Sequence, residues 1–472
     1  MSRFARSTPT VLMTLVFALA ASDSRPPHAA PAPPPAKLVL IGTTDLRGET
    51  SPCGCHTPRG GFARIGTVVD SVRRSGSAMV YLDAGGAFPD LSTRMDLAQF
   101  MYSAVHDMSP GAVGVAPRDL QLGLSAVRRF ADESHLPMTC ANLVDRASRA
   151  PLFPPTRLVE LPGLKVGVFA LLGERFELGA ARDSVLVVDA ERAAHDAVAS
   201  LRGQGAQVIV LLSQLGRVGG EDIASAVPGI DAVFLGHDVP VLEHGRRVGG
   251  ALVSYAGERG QQIGMLQLSL DDTGHVADGT CDVVSLGPDV REHAAMLAKV
   301  KQFEDAYNER MRHEQRLAHV ADEADTDPID HFVGGAVCAR CHTAEAQQWT
   351  TTAHSLAWET LVREKKDATP DCIPCHVVGY RQAGGFQSGT STPHLANVQC
   401  ENCHGMGTLH GDEGVLQNGP NEGTCRTCHN PERDPEFDYA TRLPLILHGN
   451  TSGESIRNVK ARRERIGKGA GH

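Results

Sequence analysis

Between residues 37 and 287 the chain alternates short apolar runs with polar or amphipathic stretches. The runs at 38–41, 79–82, 166–172, 208–212 and 232–235 are bounded by Gly, Asp or Pro. Their length and unbroken apolarity predict strands covered on both faces. Residues 189–202 place apolar side chains at helical spacing and fit between two such runs. From 251 to 286 the pattern alternates and breaks at Asp272-Thr273-Gly274, which predicts a closing antiparallel hairpin. This body reads as α/β and is long enough to bury its own core. After Pro288 the chain is charged and rich in Ala, Leu and Met, with Leu297, Val300, Phe303 and Tyr307 at helical spacing. A connecting helix is expected within 288–331, ended by the acidic stretch 321–330. From 332 to 449 the apolar runs fade. A segment this short and polar cannot build much core unaided.

The ends of the chain are of a different kind. Arg3 and Arg6 precede an apolar run at 11–21, and Ala18-Leu19-Ala20 offers a small-residue cleavage site. This predicts a secretory signal peptide over 1–20, too short to span a bilayer. No later stretch approaches 18 unbroken apolar residues, so the expected product is an exported, periplasmic protein with no transmembrane segment in the mature chain. Residues 21–36 are a Pro- and Ala-rich linker. Residues 450–472 form a basic tail with Arg462, Arg463 and Arg465, read as a solvated end or as a dock for an acidic redox partner. The net charge is −10 over 472 residues, with no basic stripe interleaved with aromatics. Nucleic acid is therefore not an expected partner.

The candidate chemistry lies in the last third. Cys338-Ala-Arg-Cys341-His342, Cys372-Ile-Pro-Cys375-His376, Cys400-Glu-Asn-Cys403-His404 and Cys425-Arg-Thr-Cys428-His429 repeat one pattern four times in under 100 residues. Each Cys-x-x-Cys-His reads as a covalent c-type haem site, with two thiols for the vinyl groups and an adjacent imidazole for the iron. Structural zinc built from Cys-x-x-Cys knuckles is the rival reading, but it does not explain a His after every second Cys. The expected cofactors are four covalently bound haem c groups, whose porphyrins supply the apolar mass this segment lacks. Haems so dense lie close together, which suits electron transfer, and the expected partners are redox proteins.

Each iron has a sixth position. The spare histidines are His354, His410 and His448, with His394 a weaker candidate in a loop. Residues 343–352 look helical, and twelve helical residues rise about 18 Å. His354 is therefore expected to serve a different iron from His342. His410 follows a flexible Gly405/Gly407 loop, and His448 is placed to close the last site.

The N-terminal body resembles a known family. Residues 38–45 (Leu-Val-Leu-Ile-Gly-Thr-Thr-Asp), Gly60-Gly61-Phe62-Ala63-Arg64-Ile65, Leu82-Asp83-Ala84-Gly85, Ala141-Asn142-Leu143, the strand ending at Ser213 and Gly229-Ile230-Asp231 running to Gly236-His237 are similar, in this order, to the metallophosphoesterase domain of 5′-nucleotidases and thiosulfohydrolases. The resemblance implies a two-sheet sandwich flanked by helices, with two metals at the strand ends. It also implies that most metal ligands are gone. Asp45 stands at the first Asp, but Arg47 replaces a His, Gly86 replaces the bridging Asp, Gln214 replaces the lone His, and Val239 follows His237 in place of the last one. Two hard cations need several converging carboxylates and imidazoles. The expectation is a degenerate domain, over 37–287, that binds a partner or a small-molecule ligand. Between Asp45 and Gly60 lies Cys53-Gly54-Cys55-His56, one residue short of a haem motif. It reads equally as a redox or soft-metal site and as thiols paired structurally with Cys140 and Cys281.

The C-terminal segment resembles the tetrahaem cytochrome c-554 family. The resemblance is carried by Val333-Gly334-Gly335, the four motifs, Trp349, His354, Gly384-Gly385-Phe386, Val398, Gly405, His410 and His448. It implies stacked haem pairs, mostly with two His ligands and one five-coordinate, in a periplasmic carrier that serves hydroxylamine oxidation. The resulting expectation is an exported tetrahaem electron-transfer protein with a pseudo-phosphoesterase domain. The alternatives are a redox enzyme acting on a small nitrogen or sulfur compound at an open haem or at Cys53/Cys55, and a metal-dependent phosphoesterase.

Overall fold

A computed structural model describes residues 33–52, 58–89, 94–322, 331–413, 419–431, 433–449 and 464. The expected signal peptide, residues Cys53, Cys55 and His56, the acidic stretch 323–330 and nearly all of the basic tail lie outside the described residues.

The strands are β1 (Lys37–Thr43), β2 (Ala78–Asp83), β3 (Ala112–Val113), β4 (Leu143–Asp145), β5 (Arg157–Leu161), β6 (Leu164–Leu172), β7 (Val185–Val187), β8 (Val208–Gln214), β9 (Ala232–Leu235), β10 (Arg246–Val248), β11 (Ala251–Ser254), β12 (Gln262–Leu270) and β13 (Val276–Ser285). They form a five-stranded sheet in the order β13-β12-β1-β2-β3, a six-stranded sheet in the order β10-β11-β9-β8-β6-β5, and a β4-β7 pair. The helices of this part are α1 (Phe62–Arg74), α2 (Met95–Asp107), α3 (Leu124–Glu133), α4 (Ala190–Gly203), α5 (Gly216–Ala226) and α6 (Ala294–Asp322).

The apolar runs are unbroken because alternate residues feed different cores. Leu38 and Leu40 of β1 pack with Val208, Val210 and Leu212 of β8 and with Phe234 between the sheets. Ile41 instead faces Phe62, Ile65 and Val69 of α1 and Val300 of α6. Ile209 and Leu211 of β8 face Ala194, Val198 and Leu201 of α4 and Ile223 of α5. The result is helix, sheet, sheet, helix, with both sheets covered on both faces. The sheets approach closely at Gly42, where a Cβ would lie 2.1 Å from the ring of Phe234. Asp189 caps α4 by accepting the Arg192 N–H at 2.8 Å, as its position before the helical pattern suggests. The antiparallel hairpin is β12-β13. Residues 251–254, expected within it, run parallel to β9 in the other sheet.

The C-terminal part consists of short helices: α7 (Gly335–Cys338), α8 (Thr343–Trp349), α9 (Ala357–Arg363), α10 (Cys400–His404), α11 (Thr408–Glu413), α12 (Glu422–Arg426) and α13 (Tyr439–Arg442). Its apolar cluster is small, built on Phe332, Leu361, Ile373, Val377, Val378, Phe386 and Leu395. The helix expected over 343–352 ends at Trp349, and His354 sits in a separate 3-10 turn.

Polar contacts join the two parts. Arg312 of α6 forks onto Asp367, with Nη2···Oδ1 2.6 Å and Nε···Oδ2 3.1 Å. Lys365 meets Asp305 at 2.8 Å, and the Thr369 hydroxyl donates to Asn308 at 2.8 Å.

Candidate functional site

The pocket at the ends of β1, β2, β8 and β9 is built from carboxylates already engaged. Asp45 follows β1 and is buried. Its Oδ2 accepts from the Thr44 hydroxyl at 2.7 Å, from Gln214 Nε2 at 3.4 Å and from the His237 N–H at 2.8 Å. Gln214 thus spends its amide on the Thr44 hydroxyl and on Asp45. Gly86 has φ +82, and a Cβ there would sit 2.5 Å from Asp45 Oδ1, so the space of a bridging carboxylate is filled. Arg47 extends its guanidinium to Asp238 at 2.6 Å and Glu258 at 2.7 Å. The His237 ring lies against Phe176, with centroids 3.6 Å apart, and Val239 is buried. These residues do not fit two divalent cations, and among the described residues no three His, Cys, Asp or Glu side chains gather as a metal-binding group.

Two buried acids hold the pocket's loops. Asp83, at the end of β2, accepts from the Thr43 hydroxyl at 2.6 Å and the Gly85 N–H at 2.8 Å. Burial pushes its pKa up to about 7. Asp119 accepts from the N–H groups of Gly86 at 2.9 Å, Phe88 at 3.3 Å and Ala116 at 3.0 Å, and burial raises it to about 6. The role of Asp119 was not visible in the sequence, because two of its three partners, Gly86 and Phe88, come from a loop about 30 residues away. The only available signal was a charged residue amid an apolar stretch. Burial also lowers the pKa of His237. Cys140 and Cys281 are buried free thiols in separate cores; Cys53 and Cys55, with which one reading pairs them, lie outside the described residues.

In the C-terminal part the four motifs lie close to one another, with Cys403 of the third also near Cys425 and Cys428 of the fourth. The Cys338 thiol is in hydrogen-bond contact with Cys400, joining the first motif to the third. Cys428 contacts Cys375, joining the fourth to the second. Three motif histidines each face a spare one. The ring centroids of His342 and His410 are 6.1 Å apart, those of His404 and His448 6.0 Å, and those of His354 and His429 6.1 Å. Two imidazole nitrogens each about 2 Å from one metal put the ring centres about 6 Å apart once the rings' own radii are added. The residues present therefore fit an iron held between paired rings. The His354 ring lies opposite His429 of the fourth motif, and the His448 ring opposite His404 of the third.

Hydrogen bonds on Nδ1 orient two of the motif histidines. His376 Nδ1 lies 2.5 Å from the Ala357 carbonyl, and His429 Nδ1 lies 2.7 Å from Asp434 Oδ2. With Nδ1 bonded in this way, Nε2 presents the lone pair to a metal. Glu401, inside the third motif, is buried and accepts from the N–H groups of Val333 at 3.0 Å, Gly334 at 2.8 Å and Gly407 at 2.8 Å. It clamps the start of the segment against α10. The His394 carbonyl accepts from Gln399 Nε2 at 2.8 Å.

The sequence profile of the family described as "Cytochrome c554 and c-prime" matches residues 337–405. Cytochrome c-554 of Nitrosomonas europaea is 38% identical over 91 residues, which cover 16% of this chain and 39% of that protein. An uncharacterized metallophosphoesterase of Bacillus subtilis, YunD, is 30% identical over 143 residues, 30% of each chain. The crystal structure of a 5′-nucleotidase precursor from Thermus thermophilus superposes with a TM-score of 0.52 at 22% identity, over 57% of this chain and 59% of that one. This chain thus spans well under two thirds of each of these proteins. The chain is similar to the metallophosphoesterases in its N-terminal part and to the cytochrome c554 family in its C-terminal part.

Proposed function

We propose that this protein is an exported, periplasmic tetrahaem cytochrome that passes electrons between redox partner proteins. Cys338/Cys341, Cys372/Cys375, Cys400/Cys403 and Cys425/Cys428 would hold four haem c groups, and His342, His376, His404 and His429 would bind their irons. His410, His448 and His354, whose rings face His342, His404 and His429, would bind three of those irons as well. The observation that carries this reading is the common spacing of about 6 Å in three separate imidazole pairs, each joining a motif histidine to one outside the motifs. The haems supply reversible one-electron chemistry. The chain fixes their order, keeps the iron-binding nitrogens in place and tunes their potentials through Nδ1 partners and burial.

The N-terminal domain, on this reading, is not a hydrolase. Arg47 occupies cation space, Asp45 is saturated, and Gly86 leaves no room for a bridging ligand. It serves as the surface through which the haem segment is held and a partner or small ligand is met. Intact-mass and haem analysis of the exported protein tests the proposal. Four haems on a chain cleaved near residue 20, reversibly reducible and without phosphoester hydrolysis under any divalent metal, are expected. Fewer than four haems, or hydrolysis lost on Asp45→Ala, would overturn it.

A second reading, a redox enzyme for a small nitrogen or sulfur compound, draws on the flanks of the Cys53-Gly54-Cys55-His56 segment. Glu49 and Arg59 are tied to Arg433 and Glu436, beside the fourth motif. Turnover abolished by Cys53→Ser with unchanged haem spectra would favour it over the carrier.

A further inference from the structure

The loop after the fourth motif wraps the His429 ring. The Asn430 carbonyl accepts the Asp434 N–H at 2.8 Å, and its side chain accepts the Arg433 N–H at 2.9 Å. This turn carries the Asp434 carboxylate to 2.7 Å from His429 Nδ1. The Phe437 ring lies flat on the imidazole, 4.5 Å between centroids and 15° between planes. The Asp434 side chain is only 7% exposed. The same position on His376 is taken by a neutral carbonyl, that of Ala357. A carboxylate on Nδ1–H makes an imidazole a stronger donor than a carbonyl does, and a stronger donor favours the oxidised metal.

This loop also faces the degenerate pocket. Arg433 Nη1 lies 3.2 Å from Glu49 Oε1, and the same oxygen accepts from Arg259 Nη1 at 2.7 Å. The Arg259 N–H in turn donates to the Asp45 carbonyl at 2.7 Å. Arg59 pairs with Glu436 at 2.9 Å. Asp45, Arg259, Glu49 and Arg433 thus form one polar line from the site at the strand ends to the residue that precedes Asp434 in the chain. The side chains of Arg259 and Glu49 are 7% and 15% exposed and that of Arg433 30%, so solvent screens the Arg259–Glu49 end of this line weakly and the Arg433 end more.

We propose that Asp434 is a positioning residue that holds down the potential of the haem bound at Cys425–Cys428, and that the Glu49–Arg433 pair makes the degenerate pocket an electrostatic tuner of that haem. The inference rests on the haem reading above. It gives the N-terminal domain a task that its own lost chemistry does not supply. Glu49 adds negative charge and neutralises Arg433, and both effects favour the oxidised iron. Loss of Glu49 raises the potential and loss of Arg433 lowers it.

The test is a spectroelectrochemical titration of the full-length holoprotein. In Asp434→Asn, one of the four midpoint potentials rises by at least a tenfold change in that haem's reduced-to-oxidised ratio at fixed potential, about 59 mV for one electron. The other three stay in place and the haem content stays at four. Glu49→Gln raises the same potential by less, and Arg433→Gln lowers it. Asp434→Glu, which keeps the carboxylate, stays close to the parent. Four haems with no shift in Asp434→Asn would overturn the proposal, as would equal-sign shifts in Glu49→Gln and Arg433→Gln, the mark of a merely structural contact. If Asp434→Asn loses its haem, the two opposite-sign variants, which do not touch His429, decide the question. Fewer than four haems in the parent would instead defeat the haem reading itself.

Discussion

Arg47 stands where the resemblance places a metal-binding histidine, and its guanidinium supplies fixed positive charge beside Glu258 and Asp238. The Asp238 pair is exposed and worth little, whereas Glu258 is half-buried and would lose its nearest cation. Arg47→Ala is expected to destabilise the N-terminal part by about 2 kcal/mol, read from urea unfolding, and Arg47→His is expected not to restore hydrolysis. Asp83 titrates against the usual direction. Burial raises its folded-state pKa from 3.8 to about 7, so the stability it contributes is fully present below about pH 4 and is lost as the pH rises through 7. The melting temperature of the N-terminal part should therefore climb when the pH falls from 8 to 5, and Asp83→Asn should flatten that slope. The loss of the metal ligands was legible in the sequence as Arg47, Gly86, Gln214 and Val239. What replaces them was not, because Asp119 reaches Gly86, Phe88 and Ala116 only through the folded loops.

The elements were legible where one periodicity dominated. β1, β2, β6, β8 and β9 follow from unbroken apolar runs, and α4 and α6 from helical spacing. Residues 251–254 were misplaced because a four-residue apolar strand carries no sign of which sheet it joins. In the C-terminal part the spare histidines were legible as candidates but their partners were not, since His448 meets His404 and His354 meets His429 only through tertiary packing. Glu401 shows how one short helix holds this part together. Its carboxylate takes three backbone N–H groups from outside α10, so truncation strands buried donors. Glu401→Ala should cost about 3 kcal/mol, seen as earlier loss of haem absorbance in denaturant, with the melting of the sheet sandwich unchanged.

At the scale of the whole molecule the two parts differ in what holds them. The N-terminal part has three extended cores under two sheets. The C-terminal part has one apolar cluster of seven buried residues among the described residues, too little for a chain of this length without cofactor. Protein made without haem attachment should lose residues 332–449 to limited proteolysis while 37–287 survives, as mass spectrometry of the fragments would show. The fork of Arg312 on Asp367 and the contacts at Glu49 and Arg59 bind the haem segment to its neighbour through charge. The central claim is that three irons sit between the histidine pairs. It is tested most directly by electron paramagnetic resonance of the oxidised holoprotein beside His410→Ala, His354→Ala and His448→Ala. The account predicts that each variant converts one low-spin haem, a different one each time, to high spin with four haems still attached; unchanged low-spin signals in all three variants would contradict it.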